Sequence, residues 1–170
     1  LFNEERLRLS SKLDNSTLIY LLPTIDSTNR FLLDKVGADQ VAFALAEMQT
    51  AGRGQHGRTW ISPPGQNIYL SYLTYFTRPL HQLQDISIQV GELLLRYLVD
   101  PEPIPQLKLR WPNDILYKQQ KLAGILVESK AHKNLSAVVI GIGINVNLDE
   151  LTIKIDQPWT SLKKVTGKIY

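Results

Sequence analysis

The chain has no cysteine and a single methionine among its 170 residues. Without thiols there is neither a disulfide framework nor a thiolate metal site, and the composition fits a reducing, cytoplasmic setting. No apolar run is long enough to cross a membrane as a helix, and no signal-peptide pattern is present, so a membrane partner is not expected. Charge of one sign is also scarce. Nineteen basic against sixteen acidic residues leave a net +3, although the isoelectric point is about 9.1. A surplus that small, without a localised patch, does not point to nucleic acid. What remains is ordinary for a soluble globule, with 44% hydrophobic and 21% charged residues. The length fits one domain able to bury a core, and no repeat or low-complexity tract interrupts it.

The chain is organised around residues 49–60, Gln-Thr-Ala-Gly-Arg-Gly-Gln-His-Gly-Arg-Thr-Trp. An apolar run, 41–46, leads into this stretch and an alternating run, 67–76, follows it. A glycine-rich cationic loop between two strands suits an anion: glycine lets backbone approach closely, and arginine offers forked donors. Gly52, Gly54 and Gly57 also spell a dinucleotide-binding pattern. That pattern requires a helix opening at the glycines and an acid about twenty residues on. Pro63, Pro64 and Gly65 forbid the helix, and Thr77-Arg78-Pro79 stands where the acid should be. A mobile loop with scattered cations is the plain alternative.

Periodicity and breakers predict the other elements. A short charged helix is expected over 1–13 and a strand over 17–22. Asp26-Ser27-Thr28-Asn29 is a helix-start signal before 30–36, with Gly37 as C-cap. Those hydroxyls either cap the helix alone or also hold a polar ligand atom. A helix is predicted over 81–99, where Gly91 suggests close packing, followed by a proline-rich connector at 100–105. Strands are predicted over 107–111, 122–129 and 135–144, and Thr160 or Ser161 would cap a last short helix ending at Gly167.

Three further clusters carry chemistry. Arg110-Trp111-Pro112-Asn113-Asp114 breaks a strand and projects a carboxylate and an amide beside a cation; a plain turn over a buried tryptophan is the alternative. Lys121 opens an apolar strand in which Gly124 suggests that a ligand or another backbone passes close, although a solvated lysine would read the same way. Gly141-Ile142-Gly143-Ile144-Asn145 ends an apolar run with a bulge or a flat wall for a planar ring.

Four blocks, in this order, resemble the catalytic domain of biotin–protein ligases (biotin–[acetyl-CoA-carboxylase] ligases). They are 26–29, 49–60, 110–114 with 121–128, and 141–145, and the resemblance covers nearly the whole chain. It implies an α+β fold: a mixed central β-sheet with flanking helices on one side, the biotin/lipoate ligase fold related to class II aminoacyl-tRNA synthetases. It also implies a two-step reaction. Biotin and ATP give biotinyl-5′-adenylate and pyrophosphate, and a lysine of a biotin carboxyl carrier protein then takes the biotin. Joining two anions needs cations rather than a protein nucleophile. The resemblance makes Lys121, Arg53, Arg58, Arg110 and Asp114 the catalytic group, with Asp114 serving the carrier amine.

By the same resemblance, Ser27, Thr28, Asn29, Gln49, Gly52, Arg53, Gly54, Gln55, Lys121 and Gly124 would bind biotin. Arg53, Arg58, Trp60, Arg110, Asn113, Lys121 and Asn145 would bind ATP. Mg2+ would accompany ATP on its phosphates, with no protein metal ligand to name. The lid from Arg53 to Gln55 is expected to be ordered by biotin or the adenylate.

Three departures stand out. Gln55-His56 replaces two arginines frequent in the family, which predicts faster loss of the adenylate. Arg110 stands where lysine is frequent. The C-terminal β-barrel and N-terminal helix-turn-helix of some members have no room in residues 1–170, so a repressor role is not expected and the barrel is absent or truncated. A homodimer fits the family but is not read from the chain. The rival readings are a lipoate–protein ligase and a non-catalytic biotin-binding fragment.

Overall fold

A computed structural model describes residues 3–11, 13–14, 16–99, 104–150, 155 and 157–170. Its centre is a seven-stranded mixed sheet. In chain order the strands are β1 (Leu18–Leu22), β2 (Ala42–Ala46), β3 (Asn67–Phe76), β4 (Leu107–Arg110), β5 (Asp114–Tyr117), β6 (Gln120–His132) and β7 (Leu135–Asn145). Across the sheet they run β1-β2-β3-β7-β6-β5-β4. Only β1 and β2 are parallel; every other neighbouring pair is antiparallel. The helices are α1 (Glu4–Ser11), α2 (Thr28–Leu33), α3 (Ile86–Leu98) and α4 (Leu162–Thr166).

The parallel pair requires a crossover, and α2 supplies it. Ser27 caps α2 as its sequence predicts, accepting from the Arg30 N–H. Leu32 then packs with Ala42, Ala44, Leu73, Ala137 and Val139. On α3, Ile86 packs with Ile125, Val138 and Ile140. Val138 and Val139 are successive residues of one strand, so they point to opposite faces. The two helices therefore cover opposite faces of the sheet, which corrects the one-sided arrangement expected. The reason lies in β7, whose residues are apolar on both sides and need cover on both.

Gly91 is where α3 touches the sheet most closely. A Cβ there would lie 2.6 Å from Leu109 Cδ1, which confirms the close packing its sequence suggests.

Several boundaries move. The predicted helix over 81–99 begins only at Ile86, because Pro79 starts a 3-10 turn over Leu80–Gln82. The expected C-cap Gly37 is the last residue of a turn that follows α2, which ends at Leu33 and is capped by Asp34. Strand β5 has no counterpart among the predicted elements: after residues 111–113 the chain returns antiparallel to β4. Lys118 and Gln119, both at positive φ, then close a two-residue hairpin into β6. Trp111 is not buried under its turn but 73% exposed. The predicted connector at 100–105 lies outside the described residues over 100–103, and the first helix is described from Glu4.

Candidate functional site

Two adjoining cavities lie where the four sequence blocks meet. The inner slot is lined by Ser27, Thr28, Asn29, Gln49 and Arg53 on one side. Tyr69, Lys121, Gly124, Gly141 and Gly143 close the other. The outer cleft, of ≈ 600 Å³, is bounded by Arg58, Arg110, Asn113, Asp114, Asn145 and Trp159. Gly54, Gln55, Trp60, Asn113 and Lys121 belong to both, so they form the partition between them.

The inner end is a closed polar network. Gln49 Oε1 accepts from the Thr28 N–H at 2.9 Å and from the Thr28 hydroxyl at 3.1 Å. Gln49 Nε2 donates to Ser62 Oγ at 3.0 Å. Ser71 Oγ, fully buried on β3, lies 2.6 Å from Asn29 Oδ1 and 2.8 Å from Thr28 Oγ1. Asn29 Nδ2 donates to Glu128 Oε2 at 3.0 Å. These groups share little exposure, and their mutual bonds remove the cost of burying them unpaired. Gly141 is part of the same fit, since a Cβ would fall 2.2 Å from Asn29 Oδ1. Beside them the Tyr69 hydroxyl donates to the Pro63 carbonyl at 2.8 Å, and burial pushes that phenol well above its ordinary range.

At the partition the predicted flat wall is present. Gly124 and Gly143 are cross-strand neighbours on β6 and β7. The ring lying on them is the chain's own Trp60, whose Cε2 would meet a Cβ at Gly143 at 2.5 Å. Trp60 Nε1 is buried there and has no hydrogen-bond partner.

The cations gather around this ring. Lys121 Nζ lies 2.8 Å from Asp114 Oδ1 and 5.2 Å from the Trp60 ring centroid. Arg110 binds the other oxygen of Asp114. Arg53 pairs with Glu128 at 2.9 Å. Four cations, counting Arg58, thus stand against two carboxylates, leaving a positive site able to neutralise an anion.

The loop is hydrogen-bonded upon itself. Gly54 N–H donates to the Arg58 carbonyl at 2.7 Å, and Trp60 N–H donates to the Gly52 carbonyl at 2.9 Å. Residues 55–57 make a single 3-10 turn, with no helix opening at the glycines. This geometry excludes the dinucleotide-binding arrangement.

The structure brings all but one of the sequence-predicted site residues to the two cavities. Gly52 lines neither; it packs behind the loop, where a Cβ would lie 2.4 Å from the Trp60 carbonyl. Asn145 borders the outer cleft, but its Nδ2 donates to the Thr160 carbonyl at 3.0 Å, so it ties α4's approach to β7. Asn113 likewise spends its amide on the Ile125 carbonyl at 3.1 Å. Sequence reasoning missed Tyr69, Ser71, Glu128 and Trp159. Alternation along β3 places Tyr69 and Ser71 on the α2 face and could have found them. Trp159 reaches the cleft from a distant loop that no local pattern locates.

The cations around this double cavity suit a ligand that carries negative charge. The chain matches the Biotin/lipoate A/B protein ligase family over residues 21–145 and belongs to that family. It is 36% identical over 160 residues to the bifunctional ligase/repressor BirA of Salmonella typhimurium, covering 92% of this chain and 49% of that protein. It is 37% identical over 142 residues to the biotin–[acetyl-CoA-carboxylase] ligase of Mycobacterium tuberculosis, covering 80% and 51%. The biotin protein ligase of Aquifex aeolicus, solved in complex with biotin and ATP, superposes with a TM-score of 0.66 at 31% identity, covering 90% of this chain and 62% of that one. The chain spans about half the length of the curated relatives it matches.

Proposed function

We propose that residues 1–170 are the catalytic domain of a biotin–[acetyl-CoA-carboxylase] ligase, acting in the cytoplasm on biotin, ATP and a biotin carboxyl carrier protein. The observation that carries this reading is the placing of Arg53 on the inner slot, Arg58 and Arg110 on the outer cleft and Lys121 on the partition between them, with the polar Thr28–Gln49–Asn29 network at the inner end and Trp60 at the partition. A compact bicyclic acid with a polar ureido group would exchange hydrogen bonds with Thr28, Gln49 and Asn29, whose polar atoms satisfy one another in this network. Its carboxylate would then lie toward Lys121.

In the first step a carboxylate oxygen attacks the α-phosphorus of ATP and pyrophosphate leaves. Both reactants are anions, so catalysis consists of holding them together and neutralising charge. Lys121 stands at the partition and can face both. Arg58 and Arg110 flank the outer cleft, the side suited to phosphates. Trp60 offers an aromatic face and an unpaired N–H beside that cleft. In the second step the carrier's lysine nitrogen attacks the acyl carbon, an amide forms and AMP leaves. Asp114 is the candidate to orient that amine and take its proton.

Mg2+ would arrive with ATP on phosphate oxygens and water. No group of three or more potential metal ligands occurs among the described residues, and Asp114 and Glu128 already hold cations.

The test is ATP–pyrophosphate exchange with biotin, with lipoate and with no acid. Exchange with biotin alone supports the proposal. Exchange with lipoate alone keeps the chemistry and overturns the substrate. Exchange with neither, alongside biotin binding by calorimetry, leaves the binding-fragment reading standing.

A further inference from the structure

Lys121 sits where the regular sheet gives it little hold. It is the second residue of β6, just after the hairpin turn at Lys118 and Gln119. On one side it pairs with Leu116, beyond a register shift between Ile115 and Leu116. On the other side, β6 pairs with β7 only from Ala123 onward. Residues 158–160, far along the chain, take the place of the missing neighbour. Trp159 forms a parallel bridge with Lys121. The Lys121 N–H donates to the Pro158 carbonyl and the Thr160 N–H donates to the Lys121 carbonyl, both at 2.9 Å. Asn145, the last residue of β7 and 6% exposed, pins this bridge to the sheet. Its Nδ2 is shared between the Thr160 carbonyl at 3.0 Å and the Lys121 carbonyl at 3.4 Å. Asn145 is in turn paired across the sheet with Asn67 of β3.

We propose that Asn145 is a positioning residue for Lys121. Together with residues 158–160 it brackets the backbone from which the ammonium reaches Asp114 and the partition between the cavities. This role takes the place of the ATP contact expected of Asn145, whose N–H donors go to the two carbonyls. A charge on a four-carbon stem is aimed only as well as the backbone that bears the stem, and a misplacement of about 1 Å can cost about 10²-fold in rate. An amide suits the task, because one NH2 group serves both carbonyls without bringing a charge among them. Which step the bracket serves rests on the biotin reading; the bracket itself rests on the hydrogen bonds alone.

The test is a double-mutant cycle of Asn145→Ala with Lys121→Met, read by single-turnover formation of biotinyl-adenylate from biotin and ATP. A residue that acts through Lys121 matters only while Lys121 is present. Asn145→Ala should therefore slow the step about ten-fold in the parent and leave the Lys121→Met protein unchanged. The ATP concentration giving half the maximal rate should stay within about two-fold of the parent's. An equal loss in both backgrounds, or a raised ATP requirement in both, overturns the proposal. Amide hydrogen exchange reads the bracket without any activity. Asn145→Ala should speed exchange at the Lys121 and Thr160 amides by about ten-fold and spare those in the middle of β7. Unchanged exchange at those two amides overturns the bracket. If the parent forms no adenylate with biotin, the biotin reading falls and the two amides decide the bracket alone. In the unmodified protein the same two amides should be protected like those of the β6–β7 ladder. Exchange there as fast as in an exposed loop overturns the bracket with no substitution made, so misfolding of the variant cannot hide the answer.

Discussion

At Lys121 a single ammonium faces a carboxylate on one side and an indole on the other. Removing it leaves Arg110 to satisfy Asp114, so the fold should tolerate the change. Lys121→Met should lower the rate of biotin-dependent pyrophosphate exchange by about 10²–10³-fold. An unaltered rate in a protein that unfolds at the parent temperature would remove Lys121 from the mechanism. Gln55 offers a gain-of-contact counterpart, since it borders both cavities. An arginine there would add a cation bordering both cavities, so on the proposed reading Gln55→Arg should slow release of biotinyl-adenylate about ten-fold. Indistinguishable release rates in a filter-retention assay would sink that idea. At this scale the sequence was most legible where a polar side chain interrupts an apolar context, as at Lys121 and Asp114. It was least legible for Glu128, whose partners Asn29 and Arg53 lie 99 and 75 positions away along the chain and are joined to it only by the sheet.

Among the elements, the glycines of β6 and β7 do the most to shape the site. Gly124 and Gly143 pair across the strands and leave a trough into which Trp60 lies flat. The indole is rigid and its backbone is fixed by the bond to Gly52, so it cannot yield as a flexible chain end would. Gly143→Ala should therefore expel Trp60 and weaken ATP binding by roughly ten-fold, about 1.4 kcal/mol. Calorimetry measures it, and unchanged affinity would mean the ring is not part of the nucleotide site. Gly91 shows the opposite case. The atom nearest a Cβ there is the end of a leucine side chain, which can turn aside, and alanine favours a helix by about 1 kcal/mol. The strands were legible because alternation survives in β3 and β-branched residues crowd β7. Strand β5 was not, because its four residues follow a turn sequence and owe their extended form to β4 and β6 on either side.

For the whole molecule, cover on both faces of the sheet buries a phenol whose titration should weaken the fold from the alkaline side. The α2 face ends in Tyr69, 1% exposed, which accepts from Asn67 Nδ2 at 3.1 Å and donates to the Pro63 carbonyl. That phenol therefore links β3 to the segment leaving the cationic loop. Burial first, against smaller opposing hydrogen bonds, holds its proton more tightly in the folded chain than in the unfolded one. A group with a raised folded pKa contributes stability that is complete below its unfolded value, about 10 for tyrosine, and is lost as pH climbs above it. The fold should accordingly weaken between pH 10 and 12 with a slope to which Tyr69 contributes. Tyr69→Phe would cost about 1 kcal/mol at neutral pH through the lost hydrogen bond. It should also flatten that alkaline limb, because the variant has no proton to lose at this position. Urea unfolding from pH 8 to 11.5 checks both signs at once. A variant whose stability falls as steeply as the parent's above pH 10 would show that other groups govern the alkaline limit. Alternation along β3 assigns Tyr69 to the α2 face, but the bond from its hydroxyl to the Pro63 carbonyl depends on how the segment after the loop folds back, which no local pattern announces.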